Sequence, residues 1–322
     1  MDSSSLKLLG MTIMESLKVT KDQAGLRLDQ FLAKAKSFSR KKAKQLIDEG
    51  RIFLAERKVI IGSWEVKAGE TWSIREPGDT AVPRRERYLK VHYEDKDLLV
   101  VEKPPGVACE STAQTLTSTL VDDINDYLRR AHPDIEHPYV GLMHRLDRET
   151  SGLMVYTLSR EANSLSDQFK RHTIIRHYLA LVEGRLGLAE GRIETAIVKD
   201  LEAKGKKMKA VKARKGAEGF AATEYKVVER YRDSTLVEAR LETGRTHQVR
   251  VHFASLGHPV VGDKLYGSKT PATRHALHSA YLEFKHPVTG KKLAFRSKPP
   301  NDFKKLQDQR RAEAVGLKKS ER

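Results

Sequence analysis

Between His144 and Leu153 the chain reads HRLDRETSGL, which sets one carboxylate, Asp147, between two guanidinium groups, Arg145 and Arg148. A carboxylate can act as a nucleophile, and a nearby cation favours its ionised form. The string is close to the kinase catalytic loop H-R-D-x-x-x-x-N, but its aspartate is displaced by one position and no asparagine follows in place. No G-x-G-x-x-G precedes it and no DFG follows, so a kinase is excluded. The histidines raise a second possibility. His247, His252 and His258 have four and five residues between neighbours, and His275 and His278 have two. No HExxH pattern or cysteine partner accompanies them, so they are expected to orient neighbours by hydrogen bonds rather than to hold a metal. Cys109 is the only cysteine, which rules out an intramolecular disulfide and fits a reducing compartment. It has no assignable His/Asn constellation and reads as a packing residue.

Residue for residue, His144–Leu153 resembles the active-site motif HRLDxxTSG of the RluA-type pseudouridine synthases. Other segments support the resemblance in family order. Lys103-Pro104-Pro105-Gly106 resembles the opening loop and RHYLALVEG (176–184) the tyrosine motif. TGRTHQVRVH (243–252), extended by GHPVVGD (257–263), resembles the arginine motif. Leu277-His278-Ser279 and His286-Pro287 resemble the closing strands. Together they span about residues 88–300, a far more specific signal than any one motif.

The resemblance implies an enzyme that turns uridine in folded RNA from an N-glycoside into a C-glycoside. The base must leave its stack before a protein group can reach it. Arg145 would enter the gap and stack its planar guanidinium there. Asp147 would attack either the sugar's anomeric carbon or the pyrimidine ring, and both routes stay open. Arg250 would keep that carboxylate ionised. Tyr178 would stack on the extruded uracil and assist removal of the C5 proton. Arg245 and His247 are the further substrate-binding candidates. Glycosidases normally pair two carboxylates across the bond, whereas here the motif sets an arginine opposite Asp147. Two positions depart from the family pattern. Arg176 stands where lysine is usual, and Cys109-Glu110 stand where a histidine is often near.

These residues need a scaffold, and the chain of 322 residues is long enough for two domains. Its net charge of +17, from 60 Lys and Arg against 43 Asp and Glu, implies a polyanionic partner. Leu28, Phe31, Leu32 and Ala35 follow helical spacing, and a second helix is predicted from an N-cap at Ser39 to a stop before Gly50. Short strands are expected at Ile52–Leu54, Val59–Ile61 and Thr71–Ile74. LRLDQFLAK followed by SRKKAKQLIDEGRI resembles an S4-type RNA-binding domain, which implies that Arg40, Lys41, Lys44 and Arg51 touch RNA phosphates. Pro77–Arg87 has little to bury and reads as a linker. Strands are expected at Leu98–Val101, Leu153–Leu158, Tyr178–Val182 and Ala222–Val228, with helices at Ser118–Arg130 and Ser159–Phe169. Lys204–Lys215 (KGKKMKAVKARK) reads as a mobile basic loop, and the stretch after Phe303 as a helical or disordered tail.

Without regular βαβ alternation the fold class is α+β. The resemblance implies a mixed, largely antiparallel sheet in the catalytic domain beside a small N-terminal α+β module. The boundaries are an S4-like domain at 15–80, a linker at 81–87, a catalytic domain at 88–303 and a basic tail at 304–322. The expected partner is RNA, ribosomal large-subunit RNA first and transfer RNA second. A non-catalytic RNA-binding ribosome assembly factor is the reading from another class. No cofactor, metal or membrane is expected, since no apolar run reaches the ~20 residues of a membrane span. A cytoplasmic monomer completes the expectation.

Overall fold

The computed structural model describes residues 13–54, 57–59, 62–75, 88–110, 119–135, 138–203 and 207–320. The linker at 81–87, residues 60–61 of one expected strand and residues 204–206 of the basic loop lie outside the described residues. The chain divides into two compact units, Met1–Tyr88 with Ser111–Ser118, and Leu89–Glu110 with Thr119–Arg322.

The first unit holds β1 (Ile13–Lys18), α1 (Leu28–Lys36), α2 (Arg40–Asp48), β2 (Ile52–Leu54), β3 (Arg57–Lys58) and β4 (Thr71–Arg75). The strands pair in the order β1-β4-β2-β3, all antiparallel. The Ser39 hydroxyl caps α2 by accepting from the Lys42 amide at 3.1 Å, and Gly50 leaves the helix at φ +67°. Leu28, Phe31 and Leu32 of α1 meet Ala43, Leu46 and Ile47 of α2 over Ile52, Trp64 and Trp72.

The second unit opens with β5 (Lys90–Glu94), β6 (Leu98–Lys103), α3 (Leu120–Ala131), β7 (Gly141–Leu142), β8 (Ser151–Thr157) and α4 (Leu165–Lys170). It continues with β9 (Ile175–Glu183), β10 (Glu190–Lys199), β11 (Met208–Val211), β12 (Phe220–Arg230), β13 (Ser234–Leu241) and α5 (Gln248–Ser255). It closes with β14 (Leu277–Lys285), β15 (Lys292–Arg296) and α6 (Asn301–Ser320). Eleven strands make one sheet in the order β11-β10-β12-β13-β9-β14-β8-β6-β5, with β15 added on β14 and β7 on β8. Every pairing is antiparallel except β14 with β8. The sheet centre is covered on both faces. Leu99 and Val101 of β6 and Met154 and Tyr156 of β8 enter one core, while Leu98, Val100, Leu153 and Val155 enter another. That two-sided burial is why these strands read as unbroken apolar runs.

Three expectations need correction. The helix expected over Ser159–Phe169 is a 3-10 turn, Glu161–Ser164, followed by the shorter α4. The Ser159 hydroxyl accepts from the Ala162 amide at 3.2 Å, and Asn163 is drawn to the Thr157 hydroxyl at 2.8 Å, which tightens the first turn. Part of the basic loop is strand β11, since Met208 and Ala210 pack on a small core of Ile197, Ala221 and Val251. His286-Pro287 form the turn after β14 rather than a strand, with the His286 ring accepting from the Val288 and Thr289 amides. Of the two forms expected for the stretch after Phe303, the helical one is found: Asn301–Ser320 form α6 and Phe303 is buried.

The parallel contact between β8 and β14 consists of His278 against Ser151 and Ser279 against Gly152. Gly152 sits at φ +119°, and a Cβ there would lie 2.2 Å from the Ser279 carbonyl oxygen. No side chain can yield, because the obstacle is backbone. Gly152→Ala is therefore expected to lower unfolding free energy by at least about 3 kcal/mol in a urea titration. A loss under about 1 kcal/mol would show that the two strands separate freely.

Candidate active site

Asp147 lies in the loop between β7 and β8, and almost every residue of that loop is clasped from outside it. The Cys109 thiol donates to the Leu146 carbonyl at 3.2 Å, and its sulfur accepts the Leu146 amide at 3.3 Å. The Lys103 ammonium donates to the carbonyls of Arg148 (2.8 Å), Val107 (2.8 Å) and Pro104 (3.0 Å), so its three hydrogens are all used. Burial pushes the Lys103 pKa down to about 8. Arg274 donates to the Glu149 carbonyl at 2.9 Å and is anchored by Asp302 of α6 at 2.6 Å. Thr150 bonds His275 at 2.8 Å and Ser151 bonds His278 at 3.0 Å. The loop so held presents the Asp147 side chain, which is 24% exposed.

Arg250 of α5 meets that side chain. Its Nη1 donates to Asp147 Oδ2 at 2.8 Å. Its Nε and Nη2 fork onto Asp263 at 2.6 and 2.9 Å. Burial opposes the guanidinium charge, but hydrogen bonding to Asp263 and the charges of Asp147 and Asp263 outweigh it and hold its pKa above the ordinary value. His247 precedes α5 in a left-handed conformation, φ +58°. Its Nε2 lies 3.7 Å from Asp147 Oδ1 and its Nδ1 lies 2.7 Å from the Tyr266 hydroxyl. Burial lowers its pKa, with the Asp147 charge opposing, so the neutral ring is favoured.

These groups line a cleft of about 350 Å³, open mouth included. Leu146, Leu241, Val249 and Leu277 give it apolar walls. Tyr178 of β9 faces it and is 6% exposed, and burial pushes its hydroxyl pKa up, which keeps a protonated phenol. Gln248 orders the turn before α5: its carbonyl accepts from the Thr243 hydroxyl (2.8 Å) and the Arg245 amide (3.0 Å), and its amide donates to Ala222 (3.0 Å) and Thr223 (2.9 Å). The Arg245 side chain donates to the Phe220 carbonyl at 3.0 Å. Arg145 is exposed and meets Glu110 at 3.0 Å.

The structure thus brings Arg145, Asp147, Tyr178, Arg245, His247 and Arg250 around one cleft. In the first unit, Lys41 and Lys44 are exposed on α2, and Arg40 is exposed while pairing with Asp29 at 3.1 Å. Arg51 differs from expectation. Its side chain is only 15% exposed and donates to the Arg75 carbonyl at 2.8 Å, so it clasps the end of β4. Sequence reasoning gives no role to Asp263 or Tyr266, although GHPVVGD belongs to the arginine motif. The aspartate that closes GHPVVGD, directly after the arginine-bearing segment, was the available signal. Arg176 lies buried under the Thr243–Gly244 turn and donates to the Thr243 carbonyl at 3.0 Å. The histidines first weighed as ligands are spent on protein partners: His252 on Thr195 and Thr223, His258 on the Glu183 carbonyl. Among the described residues the trio with ligand spacing is Asp95, Asp97 and His286, and its groups serve a turn, with Asp95 accepting from Tyr93, His286 and two amides.

The model of the RNA pseudouridylate synthase family matches residues 97–255, and that of the S4 domain matches 26–71. The chain is 32% identical over 296 residues to an uncharacterized RNA pseudouridine synthase, YlyB, of Bacillus subtilis, covering 90% of this chain and 96% of that one. It is 36% identical over 309 residues to the ribosomal large subunit pseudouridine synthase D of Nitrosomonas europaea, covering 90% and 86%. Among solved structures, human RNA pseudouridylate synthase domain containing 1 superposes with a TM-score of 0.54 at 29% identity, over 68% of this chain and 86% of that one.

Buried histidines make stability depend on pH. An unfolded histidine binds its proton near pH 6.5, whereas burial pushes His252, His275 and His278 down to about 4. Between those values the unfolded chain holds more protons, so stability present above pH 6.5 is lost as the pH falls toward 4. Urea titrations at pH 7 and 4.5 should differ by on the order of 2 kcal/mol per buried histidine. His252→Gln should flatten that dependence by one such share, and an unchanged slope would contradict the assignment.

Proposed function

This chain belongs to the RNA pseudouridylate synthase family and is an RNA pseudouridine synthase, and from that premise we propose how it acts and on which RNA. The target uridine leaves its stack and enters the cleft, while Arg145 at the rim takes its place. Asp147 is the nucleophile: its carboxylate bonds to C1′ or to the pyrimidine ring, and that bond is broken again before the product leaves. The N1–C1′ bond breaks, the uracil turns, and a C5–C1′ bond forms. C5 then loses its proton and N1 gains one, so the change is redox-neutral and needs no cofactor. Tyr178 stacks on the base and its hydroxyl assists the C5 proton. Arg245 and His247 contact the incoming nucleotide. The observation that carries this reading is the 2.8 Å pair between Arg250 and Asp147 at an open cleft that Tyr178, Arg245 and His247 also line.

The proposed substrate is large-subunit ribosomal RNA. Support comes from relatives named ribosomal large subunit pseudouridine synthase D and from the S4 match. In this reading residues 15–80 bind RNA, 81–87 link, and 88–303 hold the chemistry, in a monomer of the cytoplasm. Lys41, Lys44 and Arg40 contact phosphates. Such contacts position RNA and carry little sequence information, so transfer RNA is the second candidate.

Asp147→Asn nearly preserves shape and removes the charge. In cells whose own copy is deleted, site-resolved pseudouridine mapping of total RNA should show sites restored by the wild type and not by this variant. Pseudouridine unchanged in the variant would leave a non-catalytic role in ribosome assembly as the better reading. Replacing both Lys41 and Lys44 by Ala should weaken RNA binding and reduce the slope of log affinity against log salt by about 0.9 for each phosphate no longer neutralised. An unaltered slope in a filter-binding titration would remove this face from the RNA interface.

A further inference from the structure

Asp147 has two carboxylate oxygens, and each faces a different group. Oδ2 meets Arg250 and Oδ1 faces the His247 ring. Both of those groups touch Tyr266. The Arg250 guanidinium lies 5.0 Å from the centroid of the Tyr266 ring. The Tyr266 hydroxyl lies 2.7 Å from His247 Nδ1. That ring meets the histidine edge-on, with centroids 5.6 Å apart at 82°. Tyr266 ends the short turn that begins after Asp263, so one segment, Asp263–Tyr266, supplies the fork, the ring and the hydroxyl.

The Tyr266 hydroxyl has a further partner. The Met208 amide of β11 donates to the Tyr266 oxygen at 3.1 Å. A backbone N–H can only donate, so the oxygen is an acceptor there. Its own hydrogen has His247 Nδ1 as its acceptor among the described contacts, and to receive it that nitrogen must be bare. In a neutral ring the proton then sits on Nε2, the atom that faces Asp147. Burial pushes the Tyr266 hydroxyl up to about 12, so it keeps its hydrogen throughout the physiological range.

We infer that Tyr266 is a positioning residue for the isomerisation: its hydroxyl fixes His247 as the Nε2–H tautomer aimed at Asp147, and its ring backs Arg250. This rests on the reading of Asp147 as nucleophile. The consequence is that one carboxylate oxygen is held by a cation while the other faces a neutral N–H at 3.7 Å. The nucleophile thereby keeps its orientation without being fully neutralised. A donor fixed before the substrate arrives costs no reorganisation during reaction.

Tyr266→Phe keeps the ring and removes only the hydroxyl. The full-length protein with 15N-labelled histidine reports the tautomer by NMR, and a melting curve confirms folding. The wild type should show His247 protonated on Nε2, and the variant a mixture or the other tautomer. The second arm is single-turnover release of tritium from C5-tritiated transcript of large-subunit ribosomal RNA. The variant should react about tenfold more slowly, the loss of one hydrogen bond, with transcript affinity unchanged. An unchanged tautomer, or a changed tautomer with the wild-type rate, would overturn the inference. Failure of the wild type to release tritium from ribosomal and transfer RNA alike would instead sink the functional reading, and the NMR arm would still decide whether Tyr266 governs His247.

Discussion

One guanidinium, that of Arg250, is shared between two carboxylates, and the rest of the site depends on how it is shared. Asp263 occupies two of its nitrogens from a position 1% exposed. A planar fork bound at two points leaves its remaining nitrogen one direction in which to donate. Asp147 lies there, 103 residues away in the chain, with its other side open to the cleft. Buried ion pairs seldom stabilise a fold more than apolar packing of the same volume would. What this one supplies is a carboxylate that is located, paired with a cation and still reachable.

A fixed partner is useful only if the loop bearing Asp147 is fixed too. Ordering one backbone residue costs about 1–2 kcal/mol, and a net hydrogen bond returns about 1. An irregular loop is therefore held only when nearly all its residues find partners, as Leu146, Arg148, Glu149, Thr150 and Ser151 do here. Those partners come from the end of β6, the segment that follows it, the segment before β14 and β14 itself, next to the β9 strand that carries Tyr178. The sheet centre is thus both the best-packed part of the unit and the place where the loop is tied. Met208 of β11 reaches the same centre through Tyr266 and His247.

Much of this was legible in the residues. Leu98–Val101 and Leu153–Leu158 announced buried strands because both faces are covered, and Ser39 and Gly50 bounded a helix because their backbone preferences are strong. The cleft residues could be named because their spacing in several segments resembles one family. Other features depend on contacts that sequence spacing does not carry. Lys103 stood in a recognised motif, but that its ammonium would be spent on three carbonyls depends on chain folding over it. Arg51 looked like one more surface cation, and only the approach of Arg75 turns it inward. β11 was hidden by its lysines, since an edge strand buries so little that composition reads as loop.

The sharpest test replaces the shared guanidinium by a charge that cannot fork. Arg250→Lys keeps the positive charge near Asp147 but cannot hold both carboxylates in fixed geometry. With folding checked by a melting curve, single-turnover tritium release from a C5-labelled transcript bearing the mapped uridine should slow by about 100-fold, with RNA affinity little changed. If the lysine variant reacts at the wild-type rate, a nearby charge is enough, and the fixed orientation of Asp147 is not what the site depends on.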